Sequence, residues 1–294
     1  MRAYPFHLLI LALLLFSCQR GVELDLGPRL DLPQVVPLRQ ESTLVVAVAN
    51  MLSPGRAEPY EVLAQHLAQA AGLEAVVVQR RSYQAVLDLL ARGEADVGFL
   101  CTLAAGKGLE EGFVELLAAS EPEEGAPYRA LVVVPASSRA RSFWDLEGQR
   151  FALVDPLSNT GAAWPRLLLG AKGRTLEGFF RQVIYTYAHD RSLKAVQEGF
   201  VDGAAVDSLV YRSLAKKDPS LRRRLRVVWA SPPDPPPPVV VRKGLEPRIK
   251  ARLRAALLAP AQGPVREALE AMSLRGFGPA KKEAYLRVYR RAQP

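Results

Sequence analysis

"LVVAVANMLSPGRAEPYEVLAQHLAQAAG" occupies residues 44–72. Its opening "LVVAVAN" (44–50) is an apolar run of strand length. "PYEVLAQHLAQAAG" (59–72) then sets Tyr60, Leu63, Leu67 and Ala70 at helical spacing before Gly72 stops the pattern. Strand "AVVVQ" (75–79), helix "SYQAVLDLLARG" (82–93) and strand "ADVGFL" (95–100) continue the alternation. Strands separated by single helices of this length imply parallel neighbours joined by right-handed crossovers.

The order restarts further on, with strand-like segments at 130–135, 150–155, 184–188 and 202–207 and helices between them. A second α/β unit is the simplest account. "SYQAVLDLLARGEADVG" (82–98) and "RSLKAVQEGFVDGA" (191–204) also echo each other, Gly93 with Asp96 matching Gly199 with Asp202. Two lobes of related design follow. "SPPDPPPP" (231–238) cannot be a central strand, because proline lacks the ladder donor, and it reads as a stiff connector. The remainder from Glu246 reads as helical.

At 294 residues, 49% hydrophobic and 23% charged, the chain has globular composition. Its start, "MRAYPFHLLILALLLFSC", places Arg2 before an apolar run from Leu8 to Phe16 that is too short to cross a bilayer. Residues 1–17 are therefore expected to be a signal peptide, and Leu15, Phe16, Ser17 and Cys18 resemble the bacterial lipobox. Cys18 is expected to carry lipid, and the proline-, glycine- and charge-rich residues 18–41 to tether an exported domain to a membrane of the cell envelope. Lipidating Cys18 leaves Cys101 without a partner, so no intrachain disulfide is expected. The net charge of +9 clusters at Lys216, Lys217 and "RRRLR" (222–226), without interleaved aromatics or a nucleic-acid motif. These read as a solvated helix face.

Walker, dinucleotide-glycine, paired-cysteine and nucleophile-elbow motifs are absent. His7 leaves with the leader and His66 lies on a mixed helix face, so His189 is the remaining histidine and a zinc site is not expected. "DPLSNTGAAWPRLLLG" (155–170) follows the strand "FALVD" and runs into a helix. A helix start offers unpaired N–H groups and partial positive charge, which suits an oxyanion, and Ser158, Thr160 and Gly161 add hydroxyls and open access. The same residues are also ordinary helix caps. "TYAHDRS" (186–192) and "AAVDS" (204–208) place His189, Asp207 and Ser208 at two further strand ends, which share one rim if the strands are parallel.

"DPLSNTG", "YAHDRSLKAVQEGFVDGAAVDS" and the terminal "RGFGPAKKEAYLRVY" together resemble the phosphate, phosphite and phosphonate substrate-binding proteins of bacterial ABC transporters. The resemblance runs from about Thr43 to the C-terminus. It implies the two-lobed periplasmic binding protein fold (type II), each lobe a mostly parallel sheet flanked by helices, with ligand in the interlobe cleft. Lobe 1 would comprise 42–126 and 232–294, and lobe 2 would comprise 127–231. The implied ligand contacts are Ser158, Asn159, Thr160, Gly161, His189 and Asp207 from lobe 2, with Tyr60, Cys101 and Thr102 from lobe 1. Tyr187 and Ala188 stand where members often carry Gly-Ser. The expected ligand is a phosphonate, phosphite or phosphate, the expected partner an ABC permease, and the expected state a monomer that uses no cofactor or metal and binds no nucleic acid. Two other readings are a ligand-sensing receptor of the same fold and a thiol enzyme in which His189 activates Cys101.

Overall fold

The structure, a computed structural model, describes residues 42–49, 51, 53 and 57–293. The signal peptide and tether expected over 1–41, with Cys18, lie outside the described residues.

The first unit runs β1 (Thr43–Ala49), α1 (Glu58–Ala71), β2 (Glu74–Arg80), α2 (Tyr83–Ala91), β3 (Val97–Phe99), α3 (Thr102–Glu110) and β4 (Val114–Pro122). The second runs β5 (Ala130–Pro135), β6 (Arg150–Leu153), α4 (Trp164–Gly170), α5 (Leu176–Phe179), β7 (Gln182–Tyr185), α6 (His189–Gln197), β8 (Gly203–Asp207), α7 (Ser208–Lys217), α8 (Leu221–Arg224) and β9 (Leu225–Ala230). The chain then adds β10 (Pro238–Arg242), α9 (Pro247–Leu258), α10 (Gly263–Ala271), β11 (Leu274–Gly278) and α11 (Lys282–Arg291).

One sheet has the order β11-β4-β10-β3-β1-β2 and the other β7-β6-β8-β5-β9. Parallel pairing is confined to β2-β1-β3 and β7-β6-β8, while β10, β4 and β11, and likewise β5 and β9, pair antiparallel. Both sheets are therefore mixed, where mostly parallel ones were expected. A crossover helix returns the chain parallel, and strands that enter or leave without one run the other way.

Helix α1 buries Tyr60, Leu63, Ala64, Leu67, Ala68 and Ala71, so Ala71, and not the expected Ala70, completes the apolar stripe. Gly72 ends it at φ 73°, a left-handed cap that bonds back to Ala68 and Gln69. In the second unit, Phe143 stacks on Phe179 at 5.4 Å and Phe151 on Phe180 at 4.3 Å, forming an aromatic core under α4 and α5.

The echo of 82–98 in 191–204 is a repeated device. Asp96 takes the backbone N–H of Val45 at 3.1 Å and the Arg242 guanidinium at 2.9 Å, while its own N–H donates to the Val45 carbonyl. Asp202 does the same to Arg150, accepting its N–H and guanidinium and donating to its carbonyl. Each aspartate thereby fixes the register of a central parallel pair at its N-terminal edge.

Two strands escaped the sequence pattern. In β4 the helix formers Glu115, Leu116, Leu117, Ala118 and Ala119 read against a strand, and β11 lies inside the stretch expected to be helical. Pairing with β10 and β4 overrides both local preferences. The two chain crossings lie side by side, Ser231 N–H on Ala130 O at 2.9 Å and Asp234 N–H on Tyr128 O at 3.0 Å. In the proline run, Asp234 supplies a donor that its neighbours lack.

Candidate functional site

Strands β6, β7 and β8 are mutually aligned, so their C-terminal ends share one edge. From β6 the chain makes a tight loop and a π-helical turn, Asn159–Ala163, before α4. Pro165 stands in the first turn of α4, just after the widened turn. In a regular helix its N–H would meet the Gly161 carbonyl, but proline has none, and that carbonyl instead accepts from Val154 N–H at 3.1 Å. Gly161 is required here: a Cβ would lie 2.6 Å from the Val154 side chain.

The turn divides its residues between two tasks. Ser158 Oγ accepts the Gly161 N–H at 3.0 Å, so the serine caps and that N–H is satisfied within the chain. The glycine makes room for Val154. Asn159 turns away to the connector, donating to Asp234 Oδ2 at 2.9 Å. Thr160 is fully buried, and its hydroxyl makes no well-aligned hydrogen bond.

His189 begins α6 and Asp207 ends β8, both buried. The Asp207 N–H donates to His189 Nδ1 at 3.0 Å, which fixes the neutral tautomer with its proton on Nε2. Burial pushes this imidazole down to about 3. Asp207 Oδ1 caps α7 through the N–H groups of Leu209 (2.6 Å) and Val210 (3.2 Å), yet burial outweighs those bonds and lifts the carboxyl to about 7.

From the other unit, Tyr60 packs edge-on against Phe99 at 5.3 Å, and burial followed by the neighbouring Asp207 raises its hydroxyl pKa. Cys101 caps α3, and its thiol donates across the cleft to Leu157 O at 3.0 Å. Burial lifts that thiol to about 12. Thr102 donates to Pro235 O at 2.6 Å in the connector.

Two tyrosines that sequence reasoning did not single out complete the cluster. Tyr128, on the first chain crossing, lies among Asp207, Cys101, Thr160 and Thr102, and Tyr83, the first residue of α2, lies among Cys101, Tyr128, Asp155 and Tyr60. Both are buried and neither hydroxyl makes a well-aligned hydrogen bond, although the hydroxyls of Thr160 and Thr102 stand close enough to that of Tyr128 to hold its pKa down against burial. Tyr83 follows its cap Ser82 at a strand end, the same arrangement that drew attention to Thr160, so it was within reach of that logic. Tyr128 lies in a connection without periodicity.

Contacts between the two units surround this cluster. Tyr83 N–H meets Asp155 Oδ2 at 3.2 Å, His189 N–H meets Met51 O at 3.1 Å, and Ser53 donates its N–H (3.0 Å) and its hydroxyl (2.5 Å) to Asp190. Burial raises Asp155 above the usual carboxylate range. The result is a buried cluster of three hydroxyls without a well-aligned hydrogen bond, from Thr160, Tyr83 and Tyr128, beside a neutral imidazole and a carboxyl poised to share a proton. Such a set can hydrogen-bond a small oxyanion strongly without a formal ion pair. Among the described residues no group of three or more His, Cys, Asp or Glu side chains is placed to hold a metal.

A profile of the family described as "ABC transporter, phosphonate, periplasmic substrate-binding protein" matches residues 46–285. The phosphate-import protein PhnD of Mycolicibacterium smegmatis is 25% identical over 202 residues, 65% of this chain and 63% of its own. The chain thus spans just under two thirds of that relative's length. The binding protein component of an ABC phosphonate transporter from Pseudomonas aeruginosa superposes with a TM-score of 0.79 at 18% identity, over 86% of each chain. PhnD1 from Prochlorococcus marinus, solved with methylphosphonate, gives 0.76 at 16% identity over 85% of this chain and 97% of its own. At such identities the two structures establish the two-lobed fold.

Proposed function

The chain belongs to the family of phosphonate-binding periplasmic substrate-binding proteins of ABC transporters, and from that premise we propose that it captures a phosphonate-type oxyanion between its lobes and delivers it to an ABC permease. The observation that carries this reading is the trio of buried hydroxyls of Thr160, Tyr83 and Tyr128, which make no well-aligned hydrogen bond at the meeting of the two units. Lobe 1 comprises 42–126 with 232–294 and lobe 2 comprises 127–231, so Tyr83 belongs to the first, and Thr160 and Tyr128 belong to the second, Tyr128 just past the crossing between them. An oxyanion bridging the three holds the lobes together. Each hydrogen bond to a charged oxygen contributes about 1.5–3 kcal/mol, or roughly 10- to 150-fold in affinity.

The remaining contacts extend this reading. His189 offers its Nε2 proton, because Nδ1 is occupied by Asp207 N–H. Asp207, lifted to about 7, meets a ligand oxygen with a proton between them, which favours ligands that titrate near neutrality over sulfate. Tyr60, Cys101 and Thr102 close the lobe 1 side, and Ser158 and Gly161 hold Thr160 in place. The protein binds its ligand unchanged: a thiol lifted to about 12 and an imidazole pushed down to about 3 do not form the ion pair that a thiol nucleophile requires. Cys18 carries the lipid that keeps the exported domain at a membrane.

The test is calorimetry with methylphosphonate, phosphite, phosphate and sulfate on the wild type, Thr160→Val and Tyr128→Phe. Wild-type protein is expected to bind one or more of the phosphorus oxyanions but not sulfate, and each variant to lose at least tenfold in affinity with unchanged or higher thermal stability. Failure of every phosphorus oxyanion to bind would overturn the reading.

A further inference from the structure

Part of the positive charge noted in the sequence gathers at one pole of the second unit. Residues 127–231 hold 17 Lys and Arg against 9 Asp and Glu, whereas 42–126 with 232–294 hold 18 against 17. "RRRLR" (222–226) does not form one helix face: α8 ends at Arg224, and β9 begins at Leu225, which pairs with Pro135 at the C-terminal end of β5. The Ala136 N–H donates to Arg224 O at 2.8 Å, and the Arg226 guanidinium donates to Ser138 O at 2.7 Å and to Ala140 O at 2.8 Å. These bonds bring the loop that carries Arg139 and Arg141 against α8. Arg139, Arg141, Arg222 and Arg223 are exposed, and among the described residues none of the four is paired with a carboxylate. The acids at this pole are taken. Asp202 holds Arg150, Asp218 holds Arg224, and Asp145 accepts the N–H groups of Arg141 and Ser142. On the first unit, by contrast, Lys250 is held by Glu115, Arg290 by Glu110 and Arg291 by Asp234.

Among the described residues the large apolar side chains in the open are Val227 and Leu258, so the pole has no aromatic anchor of the kind that centres a protein interface. Positive charge alone is what an anionic headgroup layer recognises. Strand β5 runs antiparallel to β8, which places Gly203 at this pole and Asp207 at the opposite, ligand edge. A surface docked on the pole therefore leaves that edge open.

We propose that this arginine pole docks on anionic phospholipid headgroups, so that the protein lies on a bilayer with its ligand edge turned away from it. The inference stands apart from the oxyanion reading and from the lipid on Cys18. Each exposed arginine held at the headgroup layer raises residence there roughly fivefold.

The test mixes the intact chain with vesicles of phosphatidylcholine alone or of an equal mixture with phosphatidylglycerol, and reads amide hydrogen exchange at 136–142 and 221–226. Exchange at both segments is expected to slow roughly fivefold or more with phosphatidylglycerol and to stay unchanged with phosphatidylcholine alone. It is expected to recover in about 1 M salt, where screening shortens to about 3 Å. The triple variant Arg139→Glu, Arg222→Glu, Arg223→Glu is expected to lose the protection while keeping the wild-type melting temperature, since all three side chains are exposed. A triple with Gln at the same positions, which removes charge without adding acid, is expected to fall between the two. Equal exchange on the two vesicles, protection that survives both triples, or protection confined to other faces of the chain would overturn the proposal. Protection by soluble polyglutamate matching that on the bilayer would point to an acidic protein partner instead and overturn it as well.

Discussion

Burial lifts the Asp207 carboxyl from 3.8 to about 7, so that it exchanges its proton near neutrality, while it pushes the hydrogen-bonded neighbour His189 down to about 3. The two act on stability in opposite senses. A raised carboxyl means that the folded state holds a proton the unfolded chain releases, so this contribution is present below about pH 4 and is lost as pH rises through 7. A depressed imidazole means that the unfolded chain gains a proton the folded state refuses, so that contribution is present above 6.5 and is lost as pH falls towards 3. Between about pH 4 and 6.5 the slopes, each about 1.4 kcal/mol per pH unit, oppose one another. Denaturant melts of ligand-free protein should show little pH dependence there for the wild type. Asp207→Asn should lose stability on acidification and His189→Asn should gain it; parallel behaviour of the two variants would refute the assignment. Cys101 gives a second check at this scale. A buried thiol lifted to about 12 should resist a disulfide reagent at pH 8 in the folded protein and react at once in denaturant. Sequence reasoning located Ser158 and Thr160 but left open whether they cap or bind. Caps and ligand sites draw on the same unpaired groups, and the choice depends on where each hydroxyl points.

The π-helical turn shows how an element can be shaped by a missing atom. Pro165 withholds a donor from Gly161 O, that carbonyl accepts from Val154 N–H, and Thr160 within the π-helical turn is buried with no well-aligned partner for its hydroxyl. Pro165→Ala would restore a competing donor, and the expected outcome is weaker oxyanion binding with equal or higher melting temperature. Gly161→Ala should cost about 1–3 kcal/mol in stability, because its Cβ would lie 2.6 Å from Val154. Thermal melts and calorimetry on the pair separate the two effects. The alternation of strands and helices around β1, β2 and β3 was legible, as was the shared edge of β6, β7 and β8, because apolar periodicity survives wherever one face is buried. β4 and β11 were not. Their residues favour helix or turn, and what makes them strands is a partner brought from far along the chain.

Across the whole molecule, the second crossing does more than connect. Asp234 gathers Asn159 at 2.9 Å, Trp164 Nε1 at 2.7 Å and Arg291 at 2.9 Å, tying the π-helical turn, α4 and α11 to the proline run. Arg291 also lies over the Trp164 ring at 4.3 Å. Arg291→Ala touches none of the three uncommitted hydroxyls, yet it should weaken ligand binding severalfold by removing a contact that holds the two units in register; unchanged affinity would limit this cluster to a structural role. Asn159 was read from sequence as a ligand contact, and its capture by Asp234 depends on a residue 75 positions away. The three uncommitted hydroxyls have a further effect, on background rather than on affinity. Bringing Thr160, Tyr83 and Tyr128 together without a guest leaves their buried hydroxyls without a well-aligned hydrogen bond, at about 1–3 kcal/mol for each that finds none, which weighs against the closed outline in an unloaded copy. On the function proposed above, a permease that recognises that outline would respond to cargo far more than to idle copies, so that replacing these hydroxyls with carbon would first show itself as noise.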